Sequence, residues 1–458
     1  EGHRIPKSTY DSSDIVHWLA LEVANRCFED AGYKKGSIPT DTTGVIVGNS
    51  VTGEQTRSSS MRLRWPFVRR ALRAAGRAKG LDEASLESLA GTMESYYKSV
   101  FAPFTDDSLA GALSNTIAGR LCNYFDFKGG GFTVDGACSS SLIAIATAAI
   151  GLERGEADLA LAGGVDISLD TFELIGFAKV GALTSKDMTV YDRRASGFIP
   201  GEGCGFVLLK RLEDARRDGN YVYSVINGWA ISSDGRGGMP APNRDGQALA
   251  MKRAYLRSPY KLSDLAFVEG HGTATRVGDK TELEAIAMAA GGDAPKDLRS
   301  IGVTSFKSIV GHTKAAAGVG GFIKTVLATN QRIIPPTAGC KDPNAVFGGA
   351  GKRLYPVLQG EALAPDAIVR AGVSSMGFGG INCHITMESG DAPAARLQPK
   401  IPARALMVSS QDSELFTLSA HSAADLDAKL VAFEARAFGI SLSELTDLAA
   451  MTASELDQ

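Results

Sequence analysis

The chain has 458 residues, 44% of them hydrophobic and 22% charged, which is enough apolar material for a large core and excludes global disorder. Its 48 basic and 51 acidic residues leave a formal charge of −3, which argues against a general nucleic-acid or polyanion binder. At about 150 residues per domain, the length suits about three units, or one large domain with an appendage. The 52 glycines point to many tight turns and close backbone approaches.

The six cysteines, Cys27, Cys122, Cys138, Cys204, Cys340 and Cys383, form no Cys-x-x-Cys pair and no Cys/His cluster at zinc spacing. Their mostly apolar surroundings suit buried thiols in a reducing, cytoplasmic compartment, with no metal expected. No apolar run reaches the roughly 18 residues that cross a bilayer. Residues 1–6 lack the basic-then-apolar order of a signal peptide.

In chain order, Ile15, Trp18, Leu19, Leu21, Val23 and Cys27 repeat near the helical period and predict a helix over about 13–31, stopped by Gly32. The β-branched run 43–48 predicts a buried strand. Residues 56–81 carry eight Lys/Arg and no acid. They suit a solvated helical face or a docking surface for an acidic partner or a phosphate. Residues 139–153, serines followed by apolar residues, predict a buried helix with Gly155 at its cap, and 158–165 predict a buried strand. Further strands are expected at 221–230, 265–270, 299–305, 367–374 and 382–387, with helices at 245–257, 280–290 and 314–330. Apolar strands alternating with helices predict a buried α/β sheet system. After about residue 390 the composition changes to a linker, 389–402, and then to the start of another module near Leu415.

Chemistry concentrates in four places. Val134-Asp135-Gly136-Ala137-Cys138-Ser139-Ser140-Ser141 sets a cysteine between a β-like run and a helix start. There the helix dipole and first-turn amides would lower the thiol pKa and offer an oxyanion site. Glu269-Gly270-His271-Gly272-Thr273-Ala274-Thr275 puts a histidine at a strand end. Lys307-Ser308 and His312 follow the next strand, with Gly311 before the histidine. Ser374-Ser375-Met376-Gly377-Phe378-Gly379-Gly380-Ile381-Asn382-Cys383-His384 makes a Gly-rich turn that could bring another backbone amide to the thiol. Each feature taken alone also has a plain structural explanation: a buried cysteine, a satisfied histidine, a tight turn.

Together these motifs resemble those of the β-ketoacyl synthase (ketosynthase) family of condensing enzymes, in their order, over about residues 1–388. The family's Asp-Thr-Ala-Cys-Ser-Ser is similar to residues 135–140, its Glu-Ala-His-Gly-Thr-Gly-Thr to 269–275, and its Lys-Ser-Asn-Ile-Gly-His to 307–312. Its Gly-Phe-Gly-Gly-x-Asn turn matches 377–382. Asp192-Arg193-Arg194-Ala195-Ser196-Gly197-Phe198 and Gly201-Glu202-Gly203 also fit. Gly136, Ala274 and Ile309 depart from the usual Thr, Gly and Asn without removing a reactive group. The segment 113–131 and the Arg-rich stretch around Trp65 look most like the iterative type I polyketide synthases that build enediyne polyenes. A polyunsaturated-fatty-acid synthase, or another polyketide synthase, is the alternative.

The resemblance implies a thiolase-like fold, with two pseudo-repeated α/β halves in five layers, α-β-α-β-α, over residues 1–390. The halves would be about 1–215 and 216–390, with the family's opening strand lying before residue 1. Residues 391–458 would be a linker and the start of an adaptor toward an acyltransferase. It implies decarboxylative Claisen condensation, with Cys138 as nucleophile and His271, His312 and Lys307 as its catalytic partners. The amides of Cys138 and Phe378, beside Gly379, would form the oxyanion hole, and Phe378 would be the gate. Thr273 and Thr275 would bind phosphopantetheine, carried on a partner acyl carrier protein rather than bound as a cofactor. A homodimer is implied, with no nucleic-acid or membrane partner. Two other readings differ in one residue each. A thiolase would use a second late cysteine, near Cys383, and a silent chain-length-factor-like dimer partner would lack Cys138.

Overall fold

The computed structural model of the chain describes residues 5–34, 36–236, 241–291, 300–391, 414–437 and 442–456. The first half contains α1 (Ile15–Asp30), β1 (Thr43–Gly48), α2 (Glu54–Arg62), α3 (Trp65–Ala78), α4 (Glu83–Ser99) and α5 (Asn115–Phe125). It continues through β2 (Gly131–Val134), α6 (Ser140–Glu153), β3 (Leu159–Asp166), α7 (Thr171–Lys179) and β4 (Gly203–Leu209). The second half contains β5 (Ser224–Ser233), α8 (Arg244–Tyr255), β6 (Phe267–Glu269), α9 (Arg276–Ala289) and β7 (Ile301–Thr304). There follow α10 (Ala317–Gln331), β8 (Leu354–Pro356), β9 (Arg370–Gly377) and β10 (Ile381–Ser389), and then two tail helices, α11 (Ala423–Ala437) and α12 (Leu442–Ser454).

The predicted elements are present, with ends moved by a few residues. Helix α1 begins where the Asp14 carboxylate accepts the Val16 N–H, a side-chain cap for an otherwise unpaired donor. The helix expected from 139 starts as a tight turn over Ala137–Ser139 and becomes α-helical at Ser140. Most of the expected linker lies outside the described residues, because β10 runs to Ser389 and the next described segment begins at 414.

Strand pairing reveals the repeat. The first sheet has the order β2-β1-β3-β4, in which β1 is parallel to β2 and β3, and β4 is antiparallel to β3. In the second sheet β6 is parallel to β7 and β9, and β10 is antiparallel to β9. The same four-strand pattern thus occurs twice. The second sheet adds β5 antiparallel to β10 and β8 beside β7. Among the described residues no strand pairs with the outer edge of β4. A cavity of about 680 Å³ lies against it, walled by Phe206, Leu208, Trp229 and Phe322.

Strands β1 and β3 are buried along their whole length and are almost continuously apolar. Val45 and Val47 of β1 face α1 and α5, while Ile46 faces α6. Helices α6 and α10 pack together between the sheets, and α8 and α9 cover the far face of the second. The layers therefore run α-β-α-β-α, the thiolase-like architecture.

Four of the eight basic residues of the segment are paired with acids. Arg69 pairs with Glu87 at 2.6 Å, Arg73 with Glu87 at 3.1 Å and with Glu83, and Arg77 with Glu83 at 2.7 Å. Arg57 is held by Asp170, and Arg62 donates to the Lys98 and Phe101 carbonyls. The acids that answer this charge sit on α4, immediately after the acid-free stretch, so the solvated helical face is the better description.

The central helices approach closely at Gly318, where a Cβ would lie 2.8 Å from the Leu142 N and Cβ. The Ser141 hydroxyl also accepts the Val319 N–H at 2.9 Å across the same contact. Backbone on one side leaves no room to yield, so Gly318→Ala is expected to cost about 1–3 kcal/mol by overpacking. Denaturant unfolding checks this, and a midpoint unchanged from the parent chain would contradict the close packing.

Candidate active site

The repeat sets Cys138 and His312 at equivalent places, past the carboxyl ends of β2 and β7 and just before α6 and α10. Because those helices pack together, the two residues meet although they are far apart in sequence. Cys138, His271, His312, Thr273, Thr275, Phe378 and Gly379 all line one cavity of about 540 Å³. The His271 and His312 rings stand 5.5 Å apart, centroid to centroid, at 89°. Lys307 is not part of that lining. It is buried behind it, near enough for its charge to pull the Cys138 thiol down.

The nucleophile turn is tightly built. Ala137 sits in the left-handed region at φ 50, and its N–H is accepted by Asp135 at 2.8 Å. Gly136 stands where the resemblance expects Thr, and a side chain there would run into Ile143. The Ser375 hydroxyl donates to the Cys138 carbonyl at 2.8 Å, tying the turn to β9. The Phe378 N–H lies near enough to the Cys138 sulfur to pull the thiol pKa down.

The thiol itself departs from the expectation of a lowered pKa. Burial pushes it up to about 11, opposed by the Lys307 ammonium and the Phe378 N–H and reinforced by the Asp166 and Glu173 carboxylates. Desolvation outweighs the lowering effects of the Lys307 charge and the Phe378 N–H.

Each imidazole is fixed by a backbone donor. The Met376 N–H donates to His271 Nδ1 at 3.2 Å, and the Lys314 N–H donates to His312 Nδ1 at 3.2 Å. A ring nitrogen that accepts an N–H carries no proton, so both neutral rings bear theirs on Nε2. Burial, together with the Lys307 charge, holds both rings well below the ordinary histidine pKa. Phe198 packs edge-on against His312 at 5.0 Å.

Buried carboxylates strap the loops that carry these groups, and nothing in the motifs announced them. Glu282 of α9 accepts the N–H groups of His271 at 2.5 Å and Gly272 at 2.8 Å, and the Tyr191 hydroxyl at 2.9 Å. Glu269 accepts the Phe306 N–H, just before Lys307, and pairs with Lys324 at 2.8 Å. Burial lowers the Lys307 pKa, countered mainly by Glu282 and Glu269. Ala274, where a glycine was usual, does take a left-handed φ of 55.

Thr273 and Thr275 face each other, hydroxyls 3.2 Å apart, on the cavity wall. Phe378 is 54% exposed, with its ring at the rim. Cys383, by contrast, is fully buried on β10 outside the cavity lining, its thiol pushed far up by burial. It cannot serve as a thiolase's second cysteine. Among the described residues no group of three or more His, Cys, Asp or Glu could hold a metal ion, and no helix is long and apolar enough to cross a membrane.

Comparison with known proteins identifies the family. Residues 1–215 match the family model for the N-terminal domain of β-ketoacyl synthase, and residues 223–341 match that for its C-terminal domain. The chain is 36% identical over 408 residues to a phenolphthiocerol/phthiocerol polyketide synthase polypeptide of Mycobacterium tuberculosis, covering 88% of this chain and 20% of that protein. It is 33% identical over 438 residues to a polyunsaturated fatty acid synthase polypeptide of a Thraustochytrium species, covering 93% of this chain and 15% of that protein. The chain thus spans a fifth or less of these curated relatives. Among solved structures, the ketosynthase from module 6 of the Bacillus subtilis bacillaene synthase superposes with a TM-score of 0.69 at 28% identity, covering 98% of this chain and 69% of that one. A Streptomyces albus oxazolomycin ketosynthase domain gives 0.71 at 25%, covering 86% and 63%. The chain belongs to the β-ketoacyl synthase family: it is a ketosynthase, a condensing acyltransferase of the kind found in polyketide synthases.

A thiol with a raised pKa has a thiolate fraction that grows about tenfold per pH unit until the pKa is reached. Iodoacetamide alkylation of Cys138 should therefore climb steeply from pH 7 to 9, and Lys307→Met should slow it. A rate that levels off below pH 8 would show a thiol already ionised in the resting site.

Proposed function

We propose that this ketosynthase extends a polyketide chain by two carbons through decarboxylative condensation. Cys138 attacks an acyl thioester delivered by an acyl carrier protein, the thioester bond moves to its sulfur, and the departing pantetheine thiol takes the proton. Malonyl on a second loaded carrier then loses CO2, and the electrons of the broken C–C bond form an enolate. That carbon attacks the acyl-Cys138 carbonyl and expels the Cys138 thiolate. The observation that carries this reading is the pair of imidazoles with protons on Nε2, lining the cavity that Cys138 also lines. Two neutral N–H donors suit a developing enolate oxygen, because they stabilise its charge without adding a permanent one of their own.

The amides of Cys138 and Phe378 would stabilise the oxyanion of the acyl carbonyl, and Thr273 and Thr275 would bind the pantetheine arm. Lys307 would keep the field inside the site ordered. The exposed Phe378 ring would gate entry, its movement helped by Gly379 at φ 99 and Gly380 at φ 84. The presence of Cys138 favours an active enzyme over a silent chain-length partner. By family resemblance the product is an enediyne polyene made iteratively, and the polyunsaturated-fatty-acid synthase relative supports the alternative. An adjacent acyltransferase would load malonyl, since residues 391–458 would lead toward one. A homodimer would pair through the open edge of β2, where Phe132 is 43% exposed.

Intact-protein mass spectrometry after incubation with loaded carriers tests the assignment. Cys138→Ala should abolish acylation, whereas His312→Ala should still acylate and lose condensation by about 10²-fold or more. Cys138→Gln should continue to release CO2 from malonyl carrier. Chain elongation by the Cys138→Ala variant would overturn the reading.

A further inference from the structure

A buried ionic cluster beside His312 is not used by the chemistry above. Lys314, only 4% exposed, reaches across from the second half to Asp166 at 3.1 Å and Glu173 at 2.9 Å. Asp166 ends β3, and Glu173 lies on α7, whose Phe177 lines the cavity. The Ser168 hydroxyl stands between the two carboxylates. Asp166 also accepts the Ala315 N–H at 3.1 Å, so both the side chain and the following peptide are held.

The backbone supplies the second observation. Lys314 occupies the left-handed region at φ 50, a conformation that side-chain-bearing residues avoid. That same peptide points its N–H at His312 Nδ1. A residue chosen only for this turn would be glycine. A lysine there must be kept in place by something else; its ammonium lies within ion-pair distance of two buried carboxylates, and removing one partner of such a buried pair is costly.

We propose that Lys314 is the positioning residue of the condensation step: its ion pairs with Asp166 and Glu173 pin the strained peptide whose N–H fixes the tautomer and orientation of His312. The turn that carries Cys138 packs against this one, and the Asp166 and Glu173 charges reach its thiol, but His312 receives the N–H directly, so condensation should suffer more than acyl transfer. The anchor also couples α7, a wall of the cavity, to the imidazole, so that the first half holds a reacting group of the second. The inference rests on the condensing role of His312.

The test compares the parent chain with Lys314→Met, Lys314→Arg and the milder Glu173→Gln. Cys138 acylation and malonyl-dependent elongation are measured on the same samples. Lys314→Met should slow elongation at least tenfold more than it slows acylation, through kcat, with KM for the malonyl carrier unchanged. Glu173→Gln should lose about three- to tenfold, and Lys314→Arg should recover most of the rate. The ¹⁵N resonances of the His312 ring should show one tautomer, protonated on Nε2, in the parent and a mixture in Lys314→Met. Elongation within twofold of the parent in both weaker variants, equal loss of acylation and elongation, or unchanged ring resonances would each overturn the proposal. A parent chain that acylates nowhere and never elongates refutes the function proposed above, while the ring resonances still decide the role of Lys314.

Discussion

Two peptide N–H groups, those of Met376 and Lys314, are aimed at the Nδ1 atoms of two imidazoles, and the rest of the site depends on that aim. A side-chain carboxylate in either place would favour an imidazolium, which keeps its Nε2–H donor but adds a positive charge that would stabilise a malonyl carboxylate in its ground state. A peptide donor instead enforces a neutral ring with its proton directed away from the backbone. Desolvation and the nearby lysine then hold both rings in that state. The cost is met by the fold: the loops carrying the rings lie at strand ends, and buried carboxylates satisfy their other amides.

The duplicated sheet explains how such groups come together. Each half by itself offers one helix preceded by a reactive turn at a strand's end. Packing the two helices through a glycine contact brings the turns into one cleft, so the thiol and the imidazoles come from opposite halves of the chain. Carboxylates then cross the interface as well, from Asp166 and Glu173 to Lys314. The cavity is therefore a property of the interface between the halves, and shifts in helix packing would be felt as misaligned donors.

Much of this was legible before any coordinates. The helix at 15–30, the strand at 43–48 and the apolar helix after Cys138 follow from periodicity and run length, because these elements are buried on predictable faces. Cys138, His271 and His312 were legible because glycines and strand ends flank them. The thiol's direction was misjudged, since a local motif reports a helix terminus but not how much water the fold removes around the sulfur. The carboxylate straps were missed for a related reason. Glu282, Glu269 and Asp166 look like ordinary charged residues until tertiary structure shows which amides they face. The Arg-rich stretch invited a binding interpretation because its acidic partners, Glu83 and Glu87, lie on the next helix.

The proposed reaction needs one acyl group on Cys138, held by amides from both halves and faced by two ring N–H donors. A crystal structure of the chain acylated on Cys138 with a non-extendable thioester tests this most directly. The carbonyl oxygen should lie about 2.7–3.1 Å from the Cys138 and Phe378 nitrogens, with both Nε2 atoms opening onto the space beside the carbonyl carbon. An acyl oxygen turned away from the Phe378 amide, or either ring facing a separate pocket, would contradict it.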